Sequence, residues 1–238
     1  AATFANSVEE KAKGADGVLG TEDDISHRIA VVGFASKSGY GDNTELLSIA
    51  GSNSGNVGVA YHNITDQNLK DVLQEVDTSA GQTMVSDAIG ALAASGATQT
   101  DLGLDMAQRI LSANPVQPNE KRNRVVIVFT DGAPTSFNGF EKDVADNAIT
   151  HAGSIKTAGA TVYTIGIFSG ANATSAGTEP TGDLDQDSSS LNSACNWFMQ
   201  QVSSNNGTPR TPSYYLSAAD TGSLSNIFQQ ISDNIESG

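Results

Sequence analysis

The sequence predicts an α/β fold in which helices cover both faces of a doubly wound, mostly parallel sheet. Strand-like segments rich in Val and Ile alternate along the chain with amphipathic helical segments, the order typical of parallel sheets. An apolar run at 125–129 is followed by Thr130 and then abruptly by Asp131 and Gly132. Such a run indicates a strand buried on both faces, as in parallel sheets. With 238 residues and neither a repeat nor a linker, the chain is predicted to form a single domain over 1–238.

The elements of the first half are predicted from apolar spacing and turn residues. Phe4, Val8 and Ala12 are four residues apart and Gly14 follows, so residues 1–13 are expected to form a helix. The other elements expected in this half are a buried strand at 28–34, a short strand near 57–61, and amphipathic helices over 69–76 and 84–94.

In the second half, helices and strands alternate more regularly. Leu102, Met106 and Ile110 share one face of a predicted helix, which Pro115 and Pro118 separate from the strand ending at Asp131. Further helices are expected over 140–158 and 191–203, and further strands over 161–168 and 214–218. A last helix carries an apolar face formed by Leu224, Ile227, Phe228, Ile231 and Ile235.

Composition and charge exclude several classes of partner. The 27 acidic and 12 basic residues give a net charge of −15, which argues against binding nucleic acid or an anionic membrane surface. No apolar run approaches the ~20 residues of a membrane span, so no membrane insertion is expected. Cys195 is the single cysteine, which excludes an intrachain disulfide, and its helical spacing with Leu191 and Phe198 predicts a buried side chain.

Asp131 is the first candidate functional residue. It follows a buried strand directly, and Gly132 and Pro134 prevent the strand from continuing. Ligands of open α/β sheets bind beyond the carboxyl ends of the strands, where Asp131 is expected to lie. The pattern alone leaves a second interpretation open, in which Asp131 only caps the turn.

Four motifs resemble those of a von Willebrand factor type A domain, in matching order across nearly the whole chain: RIAVVGF at 28–34, GATQTDLGL at 96–104, VIVFTDG at 126–132 and YLSAAD at 215–220. The resemblance implies a Rossmann-like α/β domain. The long polar loops and the lack of disulfide pairs look most like the secreted version on Gram-positive cell surfaces, including pilus-tip adhesins. This subtype implies an extracellular location, at the bacterial cell surface or cell wall.

The resemblance also implies a metal-ion-dependent adhesion site at the carboxyl edge of the sheet. In this family a divalent cation, Mg²⁺ or else Mn²⁺ or Ca²⁺, captures an acidic side chain of a protein ligand. Matching the motifs assigns Thr98 and Asp131 as metal ligands; carboxylate and hydroxyl oxygens are donors that Mg²⁺ prefers. Thr100 is the competing choice for the hydroxyl, or instead caps a helix beginning at Asp101. A protein of the extracellular matrix or host surface is the expected partner.

One family motif is missing. Asp-x-Ser-x-Ser, which would supply further metal ligands after a first strand, occurs nowhere in the 238 residues. We therefore expect the chain to be a fragment that lacks this strand, and metal binding to be weak or absent in it. Neighbouring strands would then lack a hydrogen-bonding partner.

Two acidic loops are alternative cation sites. Asp183, Asp185 and Asp187 alternate as in a calcium loop, but Ser188 stands where such a loop needs glycine. The loop at 16–24 is similarly acidic. For both, we favour a solvated loop over calcium binding.

Catalysis is not expected, because the chain has no Gly-x-Ser-x-Gly, Walker-type or Gly-x-Gly-x-x-Gly motif. The sequence thus predicts a non-catalytic adhesion module. The alternatives are a structural or assembly domain of a surface protein or pilus with a degenerate metal site, and an intracellular member of the family that partners an ATPase.

Overall fold

The computed structural model describes residues 2–37, 41–49, 58–94, 96–118, 120, 122–218 and 221–236. Its helices are α1 Ala2–Ala12, α2 Asp66–Asp71, α3 Ser79–Gly90, α4 Thr100–Ala113, α5 Lys142–Thr157, α6 Leu191–Val202 and α7 Thr221–Glu236. Its strands are β1 Arg28–Ile29, β2 Val32–Gly33, β3 Ser36–Lys37, β4 Gly41–Asp42, β5 Glu45–Leu46, β6 Val59–Ala60, β7 Gln74–Glu75, β8 Val125–Thr130, β9 Thr161–Gly166 and β10 Tyr215–Ser217.

The chain divides into two compact units. The first comprises the described residues within 1–33, 44–94 and 225–238, and the second those within 34–43 and 95–224. The prediction of a single domain over 1–238 that lacks its first strand stays a prediction.

The second unit contains a parallel sheet in the order β10-β9-β8. Val125 lies opposite Thr161, and Tyr215 opposite Thr164. Helices α5 and α6 pack against β9, and α4 packs against α5. This arrangement of helices around a parallel sheet confirms the predicted α/β class. Among the described strands β8 pairs with β9 and lies at the edge of its sheet. The prediction that this strand is buried on both faces is wrong, because Val128 and Thr130 are buried but Phe129 is 38% exposed.

Helix α6 lies in the core of this unit. Eight of its twelve residues are buried, including the polar Asn196 and Gln200. Phe198 packs edge-to-face on Phe140 with the ring centroids 6.4 Å apart. Cys195 is buried as predicted, and burial raises the pKa of its thiol to about 12, so the thiol stays protonated and unreactive.

The first unit differs from the prediction. The prediction of a single strand at 28–34 is wrong, because this segment forms the two short strands β1 and β2. Strand β1 pairs with β7 and β2 pairs with β5, both antiparallel. The helix expected over 69–76 is also wrong, because α2 ends at Asp71 and β7 follows it. The helix predicted over 84–94 begins earlier, at Ser79, where the Thr78 side chain accepts a hydrogen bond from the Gly81 amide at 3.0 Å.

The other elements agree with the prediction to within a few residues at each end. Residue 57 of the predicted strand 57–61 and residues 219–220 of the YLSAAD motif lie outside the described residues. Within the described part of the chain, we find no helix with the length and hydropathy needed to span a bilayer.

Candidate metal centre

Asp131 follows the last residue of β8 and is exposed, as the sequence predicts. The turn after the strand is held by the neighbouring side chain of Thr130, which is 4% exposed. Its hydroxyl accepts a hydrogen bond from the Gly132 amide and donates one to the Gly132 carbonyl, each at 3.2 Å. Thr130 therefore closes the turn, and the Asp131 carboxylate is presented to solvent at the carboxyl end of the strand.

Thr98 lies on the loop before α4, next to this turn. A Cβ atom on Gly132 would lie only 2.9 Å from the Thr98 hydroxyl oxygen, so glycine permits the close approach. The Thr98 carbonyl accepts a hydrogen bond from the Thr135 amide at 2.9 Å. The two predicted metal-ligand residues thus come from separate loops that meet at the end of β8.

The two candidate hydroxyl donors differ in burial, since Thr98 is half-buried and Thr100 is buried. Thr100 is 1% exposed, and its hydroxyl donates a long hydrogen bond of 3.4 Å to the Thr98 carbonyl. It is also the first helical residue of α4 and Gln99 is the N-cap, so the alternative in which Thr100 caps a helix beginning at Asp101 is wrong.

Ser36 connects the loops that carry Thr98 and Asp131. Its side chain is 1% exposed, accepts a hydrogen bond from the Ala97 amide at 3.1 Å and donates one to the Ser136 carbonyl at 2.5 Å. The Ser36 amide also donates to the Ala97 carbonyl at 2.9 Å. Gly96 has a φ of +74°, and a Cβ there would lie 1.4 Å from the Ser36 carbonyl oxygen, so this crossing requires glycine.

Glu141 holds the next part of the second loop. One carboxylate oxygen accepts from the Thr135 hydroxyl at 3.0 Å and the Phe137 amide at 3.1 Å. The other accepts from the Ser136 amide at 3.1 Å and the Ser136 hydroxyl at 2.7 Å. Burial by itself raises the pKa of Glu141, but these hydrogen bonds outweigh it, and the pKa lies below its usual 4.5. The carboxylate therefore stays charged at neutral pH.

Sequence reasoning missed Ser36 and Glu141. Ser36 lies in a polar segment without periodicity, 100 residues from its partner Ser136, and no local pattern marks such a contact. Glu141 is the N-cap of α5, but its side chain makes no capping hydrogen bond and Glu is not among the residues preferred there, so no sequence signal marks it.

The donors available to a cation are limited. No group of three or more His, Cys, Asp or Glu residues placed to share an ion is found among the described residues. Thr98 and Asp131 offer one hydroxyl and one carboxylate, which fit a hard divalent cation in chemical type but fill few of its six or more positions. Water or other residues would have to supply the rest.

The two acidic loops contribute to local structure. The Asp183 carboxylate accepts from the Lys142 amide at 2.8 Å, in the first turn of α5. Asp23 accepts from the amides of Ala15 and Asp16 at 2.6 and 3.2 Å, and these hydrogen bonds are among the causes that lower its pKa, after the one from the Thr21 side chain. Calcium binding by either loop stays a prediction.

Comparison with known proteins identifies a family. The family model for the von Willebrand factor type A domain matches residues 70–230, a range that includes Thr98, Asp131 and all three strands of the parallel sheet. A search of the curated proteins found no relative that matches the chain.

Proposed function

Because this chain belongs to the von Willebrand factor type A domain family, we propose that it is an adhesion module that binds a protein ligand through a divalent cation at Thr98 and Asp131. Domains of this family are generally non-catalytic protein-interaction modules, and they often bind a divalent metal. The metal-dependent mode of binding in this chain is the part that we propose.

The observation that carries the proposal is the meeting of two loops at the end of β8. The Thr98 hydroxyl lies beside Gly132, and the Thr135 amide donates to the Thr98 carbonyl at 2.9 Å. Asp131 would supply a negative oxygen and Thr98 a neutral one, and hydrogen bonds to the Thr98 loop fix its backbone in advance. When bound, the cation supplies an open coordination position for a carboxylate of the ligand.

We place the module on a Gram-positive cell surface, as part of a secreted surface protein or pilus, with a matrix or host-surface protein as partner. The long polar loops and the lack of disulfide pairs, which resemble those of Gram-positive surface members of the family, support this proposal. A second candidate is a structural or assembly domain with a degenerate metal site. The small number of acidic donors around Asp131 in the described part of the chain favours that alternative.

The melting temperature with and without saturating Mg²⁺ or Mn²⁺ distinguishes the two. An ion at ~100 times its dissociation constant adds about 2.7 kcal/mol to the free energy of unfolding, which raises the melting temperature by roughly 5–10 °C in a protein of this size. We expect this rise in the parent, and its loss in Asp131→Ala without a change in the metal-free melting temperature.

The matched control is Asp187→Ala, which removes an exposed carboxylate from the acidic loop at 183–187. This variant should keep the full metal-induced rise. No rise in the parent would support the degenerate site, and a rise lost only in Asp187→Ala would show that the cation binds at the acidic loop.

A further inference from the structure

Phe137 lies on the loop that follows Asp131. It is 61% exposed, the largest fraction among the exposed large apolar residues of the described part of the chain. The next is Val18, at 56%. Isolated apolar side chains are common on protein surfaces and need no explanation by themselves. The backbone around Phe137, however, is held by several hydrogen bonds.

Several hydrogen bonds fix that backbone on both sides of Phe137. Before it, Glu141 accepts from Ser136, and after it the Glu141 amide donates to the Pro134 carbonyl at 2.9 Å. The fully buried Phe140 exchanges amide and carbonyl hydrogen bonds with Leu184 at 2.8 and 2.9 Å. The loop therefore holds an exposed aromatic side chain on a backbone that is already ordered.

Further hydrogen bonds connect the backbone of Phe137 to the candidate metal centre. The Phe137 amide donates to the Thr135 hydroxyl at 3.1 Å, and the Thr135 amide donates to the Thr98 carbonyl at 2.9 Å. Two hydrogen bonds thus connect the backbone of Phe137 to that of Thr98. The loop that carries Phe137 is therefore ordered together with the loop that carries Thr98.

We propose that Phe137 makes an apolar contact with the ligand beside the cation, so that the site prefers acidic residues flanked by large apolar ones. Glu141 is the positioning residue, since its carboxylate accepts hydrogen bonds from the Ser136 and Phe137 amides. This inference rests on the proposed metal-dependent function. An aromatic side chain on an ordered loop loses little conformational entropy on binding, which is why such residues dominate many interfaces.

Two synthetic peptides test the proposal with the full 238-residue chain in saturating Mn²⁺. One is acetyl-Gly-Leu-Glu-Leu-Gly-amide, and the other has Ser in place of both Leu residues. Burying apolar area against Phe137 should make the Leu peptide bind about tenfold more tightly than the Ser peptide. Phe137→Ser should reduce this ratio to about twofold or less, and leave Mn²⁺ affinity and Ser-peptide affinity unchanged.

Further variants distinguish an effect of the Phe137 side chain on ligand preference from a general effect on folding. Phe137→Leu should restore most of the preference, and Val18→Ser, at the exposed position in the other unit, should leave it unchanged. Glu141→Gln should weaken the preference for the Leu peptide, because the loss of the charged acceptor loosens the loop that carries Phe137.

Two results would overturn the inference in distinguishable ways. Mn²⁺-dependent binding of both peptides with equal affinity, or a preference that persists in Phe137→Ser, would overturn the role of Phe137 and leave the metal site standing. Failure of both peptides to bind in a Mn²⁺-dependent way would overturn the proposed function, and this inference with it.

Discussion

Replacement of Ile231 by Asp is expected to lower the free energy of unfolding by about 4 kcal/mol, a large part of the stability of a typical domain. Ile231 is 0% exposed on α7, where Ile227 and Phe228 are also buried. Phe228 packs against Phe4 of α1 with the ring centroids 5.9 Å apart. A carboxylate at position 231 would be removed from water among apolar side chains, which accounts for the large cost.

The measurement is urea unfolding of the variant and the parent, followed by circular dichroism. Gln230→Asp is the matched control, because residue 230 is exposed on the same helix and the same charge there should change stability by no more than about 0.5 kcal/mol. If Ile231→Asp unfolds at the same urea concentration as the parent, the packing described for α7 is wrong.

Gln200→Leu is expected to lower the free energy of unfolding by about 3–5 kcal/mol, although leucine has a similar volume. Gln200 is 0% exposed in α6. Its side-chain amide donates to the carbonyls of Ala173 and Ser175 at 2.9 and 3.0 Å, and its oxygen accepts from the Asn205 side chain at 2.6 Å. Leucine would leave the two part-buried carbonyls without this donor and would remove one of the two acceptors of the buried Asn205 amide, which also donates to Ser213.

Thermal unfolding of Gln200→Leu and of Gln201→Leu checks this prediction. Residue 201 is the next position of α6 and is only half-buried, so leucine there should change stability by less than about 1 kcal/mol. Equal melting temperatures for the two variants would mean that the buried amide contributes little, and that α6 is held by apolar packing alone.

The elements that the sequence predicts well are those whose own residues determine them. Strands β8 and β9 are continuous runs of β-branched and aromatic residues, and α7 carries an apolar face of period 3.6. In contrast, β1, β2 and β7 are two residues long and exist only through pairing with distant segments. No window of sequence specifies such pairings, so 28–34 is easily mistaken for one strand and 69–76 for one helix.

The candidate site likewise contains some residues that the sequence predicts and others that it does not. Asp131 is marked by its place after an apolar strand, and Thr98 by resemblance to a family motif. The residues that order their loops, Ser36 and Glu141, act through hydrogen bonds whose geometry appears only in the folded chain. Their side chains are ordinary for polar loops and helix N-termini, so their types and spacing predict no site.

We propose that a divalent cation binds between the loops of Thr98 and Asp131. Titration of the ¹⁵N-labelled chain with substoichiometric Mn²⁺ locates the cation, because the paramagnetic ion broadens the amide signals nearest to it. We expect the signals of Thr98, Asp131 and Gly132 to lose intensity first, and this selectivity to vanish in Asp131→Ala. Broadening that begins instead at the acidic loops 16–24 or 183–187 would contradict the claim and move the cation site there.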